Sequence, residues 1–293
     1  NYDNRPYGTA NEKILKALYP PTHPYSWPVI GYMEDLSAAS MEDVKNFFKT
    51  YYAPNNACLV VAGDINPGEI KPLIEKYFGP IPQGKNFDRP KPVELKLKQQ
   101  ERLAYEDKVQ LPRIYLTWHS APANTREDAV MDVFSSILGR GKNSRLYKSL
   151  VYDKQIAQSA FASQEGSEIA GSFQIQITAK PEKTLTEMEQ NVNEILNKLF
   201  SEGVTQSEID KSVIAREVQI INSASTALGK SISLANFYSY TGNPENINKQ
   251  MELYKGITPQ EVITTAKKYL NEASVVLSVV PEGKLELAAK KGE

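Results

Sequence analysis

The chain has 293 residues, 41% of them hydrophobic and 24% charged, with 34 Lys and Arg against 35 Asp and Glu for a formal net charge of -1. That length suits one or two domains with a real core, and the near-balanced charge gives no reason to expect nucleic acid or an anionic membrane as a partner. The single cysteine, Cys58, excludes an intrachain disulfide, and no apolar run approaches the length of a membrane span.

Asn1 to Pro6 reads as a polar turn, followed by a short helix with Ile14, Leu15 and Leu18 on one face. The loop from Tyr19 to Pro28 is dense in proline and aromatic residues, which makes it stiff. It holds His23; the other histidine, His119, falls in a predicted strand from Ile114 to Ser120. Neither has a His, Cys or carboxylate cluster near it at zinc-ligand spacing, so both are expected to be structural or superficial.

Ser40 precedes Asp43 at the spacing of a capping box. Val44, Phe47, Phe48 and Tyr51 then recur at one helical face, Pro54-Asn55-Asn56 stops the helix, and Cys58 to Ala62 reads as a buried strand closed by Gly63-Asp64. A helix from Pro67 to Tyr77 follows, then a proline-rich, charged linker through Arg89-Pro90-Lys91-Pro92. Beyond it, extended segments are expected near Leu95 to Asp107 and Ile114 to His119, and helices from Arg126 to Leu138 and Ser144 to Tyr152. Strands are expected near Ala157 to Gln164 and Gly171 to Thr178, where Phe173, Ile175 and Ile177 alternate with polar residues. The long stretch from Thr184 to Leu270 is almost all helical.

The end of the chain repeats its beginning. Thr258 is a helix cap, Pro259 sits at the first helical position, Val262 to Tyr269 repeats the spacing of Val44 to Tyr51, and Ser274 to Val280 is again a buried strand. One helix–strand unit used twice implies two related modules. The second copy lies about 160 residues past the linker and the first only about 40 residues from Asn1, so the sequence reads as the C-terminal part of one module, residues 1–90, followed by a complete second module, 91–293, with roughly 120 residues of the first lying upstream. Strands gathered into one sheet with long helices give an α+β, two-layer sandwich: a mainly antiparallel sheet with helices covering one face.

Gly139-Arg140-Gly141-Lys142-Asn143-Ser144 is no phosphate loop, because Asn143 follows the lysine and Ser136 stands where the first glycine belongs; Gly139 reads instead as a helix C-cap before a mobile loop. G-x-S-x-G, H-E-x-x-H, H-x-x-E-H and C-x-x-C are all absent. The residues alone offer no self-contained catalytic site.

Several stretches together resemble the pitrilysin/insulinase-type zinc peptidases, whose signature is an inverted H-x-x-E-H. They are Tyr2 to Gly8, His23-Pro24-Tyr25 with Pro28 to Gly31, Glu34-Asp35-Leu36, Tyr51 to Ala57 leading into Val60 to Asp64, Glu75 to Gly79 with Ile81-Pro82, and Gly141 to Tyr147, which fits the family's G-x-S-S-R-L-Y helix start. The resemblance spans essentially the whole chain and implies a metalloendopeptidase-like fold. It also implies a parent protein that binds Zn2+ and cuts extended peptides in a clamshell of modules, the zinc ligands lying upstream of Asn1; no catalytic or metal residue is carried over, and no metal is expected on this chain. Where many members hold the substrate backbone with an Arg and a Tyr seven residues apart, this sequence has Val151 and Gln158, so a partner subunit or further modules of the same polypeptide are expected to supply that pair. Lys142, Arg145 and Lys148 are candidates for lining the substrate chamber. A non-catalytic structural or processing-complex subunit, or a peptide-binding module, are the competing readings. A periplasmic or envelope setting fits bacterial members of this type.

Overall fold

The computed structural model describes residues 4–290, so the turn expected over residues 1–6 lies partly outside the described residues. Helices α1 (Ala10–Leu18), α2 (Met33–Ala38), α3 (Met41–Tyr51), α4 (Pro67–Phe78), α5 (Arg126–Gly139), α6 (Leu185–Glu202), α7 (Gln206–Ser223), α8 (Ala227–Thr241) and α9 (Pro259–Leu270) accompany strands β1 (Glu101–Asp107), β2 (Arg113–Ser120), β3 (Ala157–Gly166), β4 (Gly171–Ala179) and β5 (Val275–Pro281). They form two compact units: one of the chain up to Val29, Pro92–Ile214 and the chain from Leu253 on, the other of Ile30–Lys91 and Ala215–Glu252.

The first unit contains the sheet, in the order β1-β5-β2-β4-β3, antiparallel throughout except for the parallel β1–β5 pair. Pleating sends alternate side chains to opposite faces. On one face Phe173 of β4 meets both Trp118 of β2 and Phe134 of α5, and α6 and α9 cover the same face. Fully burying side chains the size of Phe134 and Phe173 stabilises the fold by roughly 1.5–3 kcal/mol each. On the other face α1 lays Ala10 and Ile14 against Tyr115, Leu277 and Val279. β5 is therefore covered on both sides, which explains why Val275 to Val280 is an almost unbroken apolar run rather than an alternating one. The expectation of a mainly antiparallel sheet under long helices holds, with α1 added to the face expected to be bare.

Helix starts follow the sequence closely. The side chains of Thr125, Thr184 and Thr258 each accept from the backbone N–H three residues on, opening α5, α6 and α9.

The second unit contains no strand among the described residues. Ser40 and Asp43 make the complete capping box that opens α3, and Asn66 caps α4. Asn55 exchanges hydrogen bonds with Gly84, donating at 3.2 Å and accepting at 2.9 Å, while Tyr51 meets the edge of Phe87.

Four expectations are corrected. Cys58 to Ala62 is not a strand, and its residues are exposed or half-buried, because no strand of its unit stands beside it to satisfy its backbone groups. The extended segment from Leu95 joins the sheet only at Glu101. The helix expected from Ser144 to Tyr152 becomes a π-helix at Tyr147–Asp153, where the Lys154 N–H donates to the Ser149 carbonyl five residues back, and it ends at Gln155, a non-glycine residue with φ +52°. Gly139 is the last residue of α5 and Arg140 its C-cap: a Cβ on Gly139 would sit 2.2 Å from the Ala162 backbone nitrogen, so glycine is required by the close approach of α5 to β3.

Candidate functional site

Two places in the first unit gather chemistry-bearing side chains. The first is the turn before the π-helix. Ser144 is buried, its hydroxyl donating to the Gly141 carbonyl at 2.8 Å, and this fixes the turn. Arg145 reaches Glu208 on the first turn of α7 at 2.8 Å. Burial alone would raise the Glu208 carboxyl, but hydrogen bonds from Thr205 and the charge and hydrogen bond of Arg145 outweigh it and hold the group below the usual carboxylate range. Glu208 also accepts from the Thr205 N–H and hydroxyl, both at 2.9 Å. Arg145 thus ties the turn to the cap of α7.

Arg145 and Lys148 share a groove of about 270 Å³ with Asp153, Lys198 and Glu202, a mixed lining of three cations and two anions. Lys142 does not line it; Lys142 and Lys148 are exposed. Of the three chamber candidates, then, two come together and one of those is committed to an ion pair. Val151 is half-buried and Gln158 exposed. The Val151 side chain has neither donor nor charge where such a pair has its Arg, and Gln158 has a neutral amide where it has the Tyr phenol, so the segment lacks the cation of an Arg–Tyr pair.

The second place was not visible in the sequence as a cluster. Both histidines converge on Tyr19: His23 stacks on it at 4.8 Å, His119 meets its edge at 5.2 Å, and Tyr25 packs at right angles to Tyr19 and His23. His23 Nδ1 accepts from the Tyr25 N–H at 3.1 Å, so the neutral ring carries its proton on Nε2, which is buried without a partner. His119 hydrogen-bonds the Leu18 backbone, and its Nδ1 is likewise buried without a partner. Burial pushes the His119 imidazole down to about 4, helped by the nearby His23 and opposed by the Leu18 carbonyl; burial also lowers His23 and pushes the Tyr19 phenol up to about 12. The only hint in the sequence was the stiff aromatic loop around His23.

A metal does not fit here. With Nδ1 of His23 spent on a backbone N–H, its ring offers a donor rather than a lone pair. Among the described residues no group of three or more His, Cys, Asp or Glu could hold a metal ion. A third polar cluster is structural: Tyr269 and Lys268 of α9 both donate to Glu127 of α5. Burial favours the neutral Glu127 carboxyl, but those two hydrogen bonds prevail and lower it, while burial and Glu127 together raise the Tyr269 phenol.

Residues 38–215 match the family described as "Peptidase M16 inactive domain". The Helicobacter pylori protein named zinc protease PqqE is 29% identical over 226 residues, 75% of this chain and 50% of its own length. The crystal structure of a protease from Helicobacter pylori has a TM-score of 0.83 at 23% identity, covering 96% of this chain and 68% of that one. The peptidase M16 inactive domain from Pseudomonas fluorescens has a TM-score of 0.81 at 19% identity, covering 100% of this chain and 68% of that one. At such identities the structural likeness speaks for the fold. The chain spans about half the length of the curated relative it matches. The family match covers more than half of the 293 residues, and on it the chain belongs to the peptidase M16 family through its inactive-type domain.

Proposed function

We propose that this chain is the non-catalytic portion of a zinc metalloendopeptidase, contributing chamber wall and contacts with other modules while the zinc centre is carried elsewhere in the complete protein. Residues 1–90 are read as the C-terminal part of the zinc-bearing type of module and 91–293 as the second, inactive-type module. The observation that carries this is the donor set: the two histidines are turned into an aromatic cluster as packing groups, and Val151 and Gln158 stand where a backbone-clamping pair is expected. The naming of relatives as zinc proteases supports zinc in the parent. An extended peptide is the proposed substrate, and a partner subunit or another module of the same polypeptide the proposed source of the Arg and Tyr.

The test is zinc content by elemental analysis and peptide hydrolysis, measured on this chain and on the complete gene product with and without candidate partners. The expected result is no stoichiometric zinc and no hydrolysis for the chain, and zinc-dependent hydrolysis by the complete protein that rises when the partner is added. Hydrolysis by this chain alone, or a complete gene lacking H-x-x-E-H, would end the reading; the second result favours a scaffold subunit of the same fold.

A further inference from the structure

Val93-Glu94-Leu95-Lys96-Leu97-Lys98 alternates apolar and charged residues as a half-buried strand does. From Glu94 to Lys98 burial alternates too: Leu95 and Leu97 are half-buried against Leu18, Tyr19, Ala170 and Val275, while Glu94, Lys96 and Lys98 are exposed, as is Val93. That is the periodicity of an extended chain. Yet the ladder starts only at Glu101, and among the described residues no backbone–backbone hydrogen bond reaches 93–98. The segment has the side-chain pattern of a strand and no strand beside it.

Open space does lie beside it. Grooves of about 840 Å³ and 230 Å³ flank the segment, sharing Glu94 to Leu97 and His119 as common wall. The larger also runs past α1 and β1. The Glu101 N–H donates to the Ser274 carbonyl, so the odd residues of β1 direct their backbone groups at β5 and Arg102, Ala104 and Glu106 direct theirs outward. No further strand adjoins that edge among the described residues. Lys13, Lys16, Lys96 and Lys98 line the larger groove with Glu94 and Glu101 over a floor that includes Leu95, Leu97 and Leu103; Lys16 pairs with Glu12 and Lys96 with Glu94 and Glu272, so Lys13 and Lys98 are its lysines outside an ion pair among the described residues. At the shared wall the Nδ1 of His119 is an acceptor without a donor.

We propose that this groove docks an extended acidic segment of another polypeptide as an added strand. Unpaired backbone groups supply the main-chain hydrogen bonds of strand addition. The apolar floor takes one side-chain row of the incoming strand, and Lys13 and Lys98 take carboxylates on the other. The docking is independent of the peptidase reading, because it requires neither zinc nor cleavage.

Fluorescence anisotropy with this chain tests it. The probe is a labelled peptide of about ten residues, the length of a long strand, in which Glu alternates with Val and Thr. Three controls go with it: the same peptide with Lys for Glu, the acidic peptide N-methylated at alternate residues, and decanoate as a competitor. The acidic peptide is expected to bind, the Lys peptide and the N-methylated peptide to bind at least about tenfold more weakly, and Lys98→Glu with Lys13→Glu to weaken binding by a similar factor. Lys98 is exposed and unpaired among the described residues, so Lys98→Glu alone keeps the test sound should the double variant unfold. Equal binding of acidic and basic peptides, full binding of the N-methylated peptide, no binding at all, or displacement by decanoate with no loss on N-methylation would each overturn the proposal, the last pointing to a pocket for apolar anions.

Discussion

The same helix–strand pattern occurs twice in this chain and comes to two different ends. In α9 and β5 the repeated positions are buried: Val262 and Ala266 are fully covered, and Val275 to Val280 lies between β1 and β2 with α1 over one face. In α3 the equivalent face is half open, with Val44 at 42% and Phe47 at 52% exposure, and Cys58 to Ala62 forms no ladder. Caps and turn residues act locally, so both copies start and stop their helices alike. A strand needs a neighbour, and only the second copy has one within its own unit.

The largest contrast is expected from truncating the strands. Leu277→Ala removes a side chain with 0% exposure and should cost about 2–5 kcal/mol in urea unfolding. Leu59→Ala, at a residue 54% exposed, should cost less than about 0.5 kcal/mol. Similar losses at the two sites would break the comparison.

Acid should separate the two copies next. Burial holds His119 neutral in the fold, lowering its pKa to about 4 from the ordinary imidazole value of 6.5. Below about pH 6.5 the unfolded ring takes up a proton that the folded ring refuses, so stability is full above that pH and falls as pH drops towards 4, where the loss levels off. The loss is on the order of 2–3 kcal/mol and should appear as reduced amide protection in α1, β2 and β5 but not in α3. His119→Phe should flatten that slope; an unchanged slope would remove the histidine cluster from the explanation.

Removing the caps sharpens the contrast on a smaller scale. Thr258→Ala should lower the global unfolding free energy by about 1 kcal/mol, because α9 is part of the core, while Ser40→Ala should fray α3 with little effect on the global transition. Smallest is Gln155→Gly, which relieves a left-handed non-glycine residue at φ +52° and should stabilise by about 0.5–1 kcal/mol. Destabilisation there would mean that the Gln155 side chain does something the backbone does not reveal.

Most of the first unit was legible because its signals are local or periodic. The Thr258 cap marked α9, and the alternation of Phe173, Ile175 and Ile177 marked β4. What failed needed a partner or a crossing to be known. Cys58 to Ala62 had the composition of a strand without its neighbour, Gly139 answered to β3 rather than to its own helix end, and the π-helix at Tyr147–Asp153, with Gln155 at positive φ just past it, carried no sequence signal. The candidate site was less legible still. Arg145 was singled out by charge, but its commitment to Glu208 lies 63 positions along the chain, and the meeting of His23 with His119 follows from the docking of α1 and its loop on the sheet, which no motif announces.

Amide hydrogen exchange read by mass spectrometry on the intact chain, comparing peptides over Val275–Val280 and Cys58–Ala62, is the most direct measurement. Slow exchange in the first and exchange near the rate of an unstructured peptide in the second is the expected result. Equal, strong protection of both would show that Cys58–Ala62 has found a strand to pair with, and would contradict the claim that a missing neighbour is what divides the two copies.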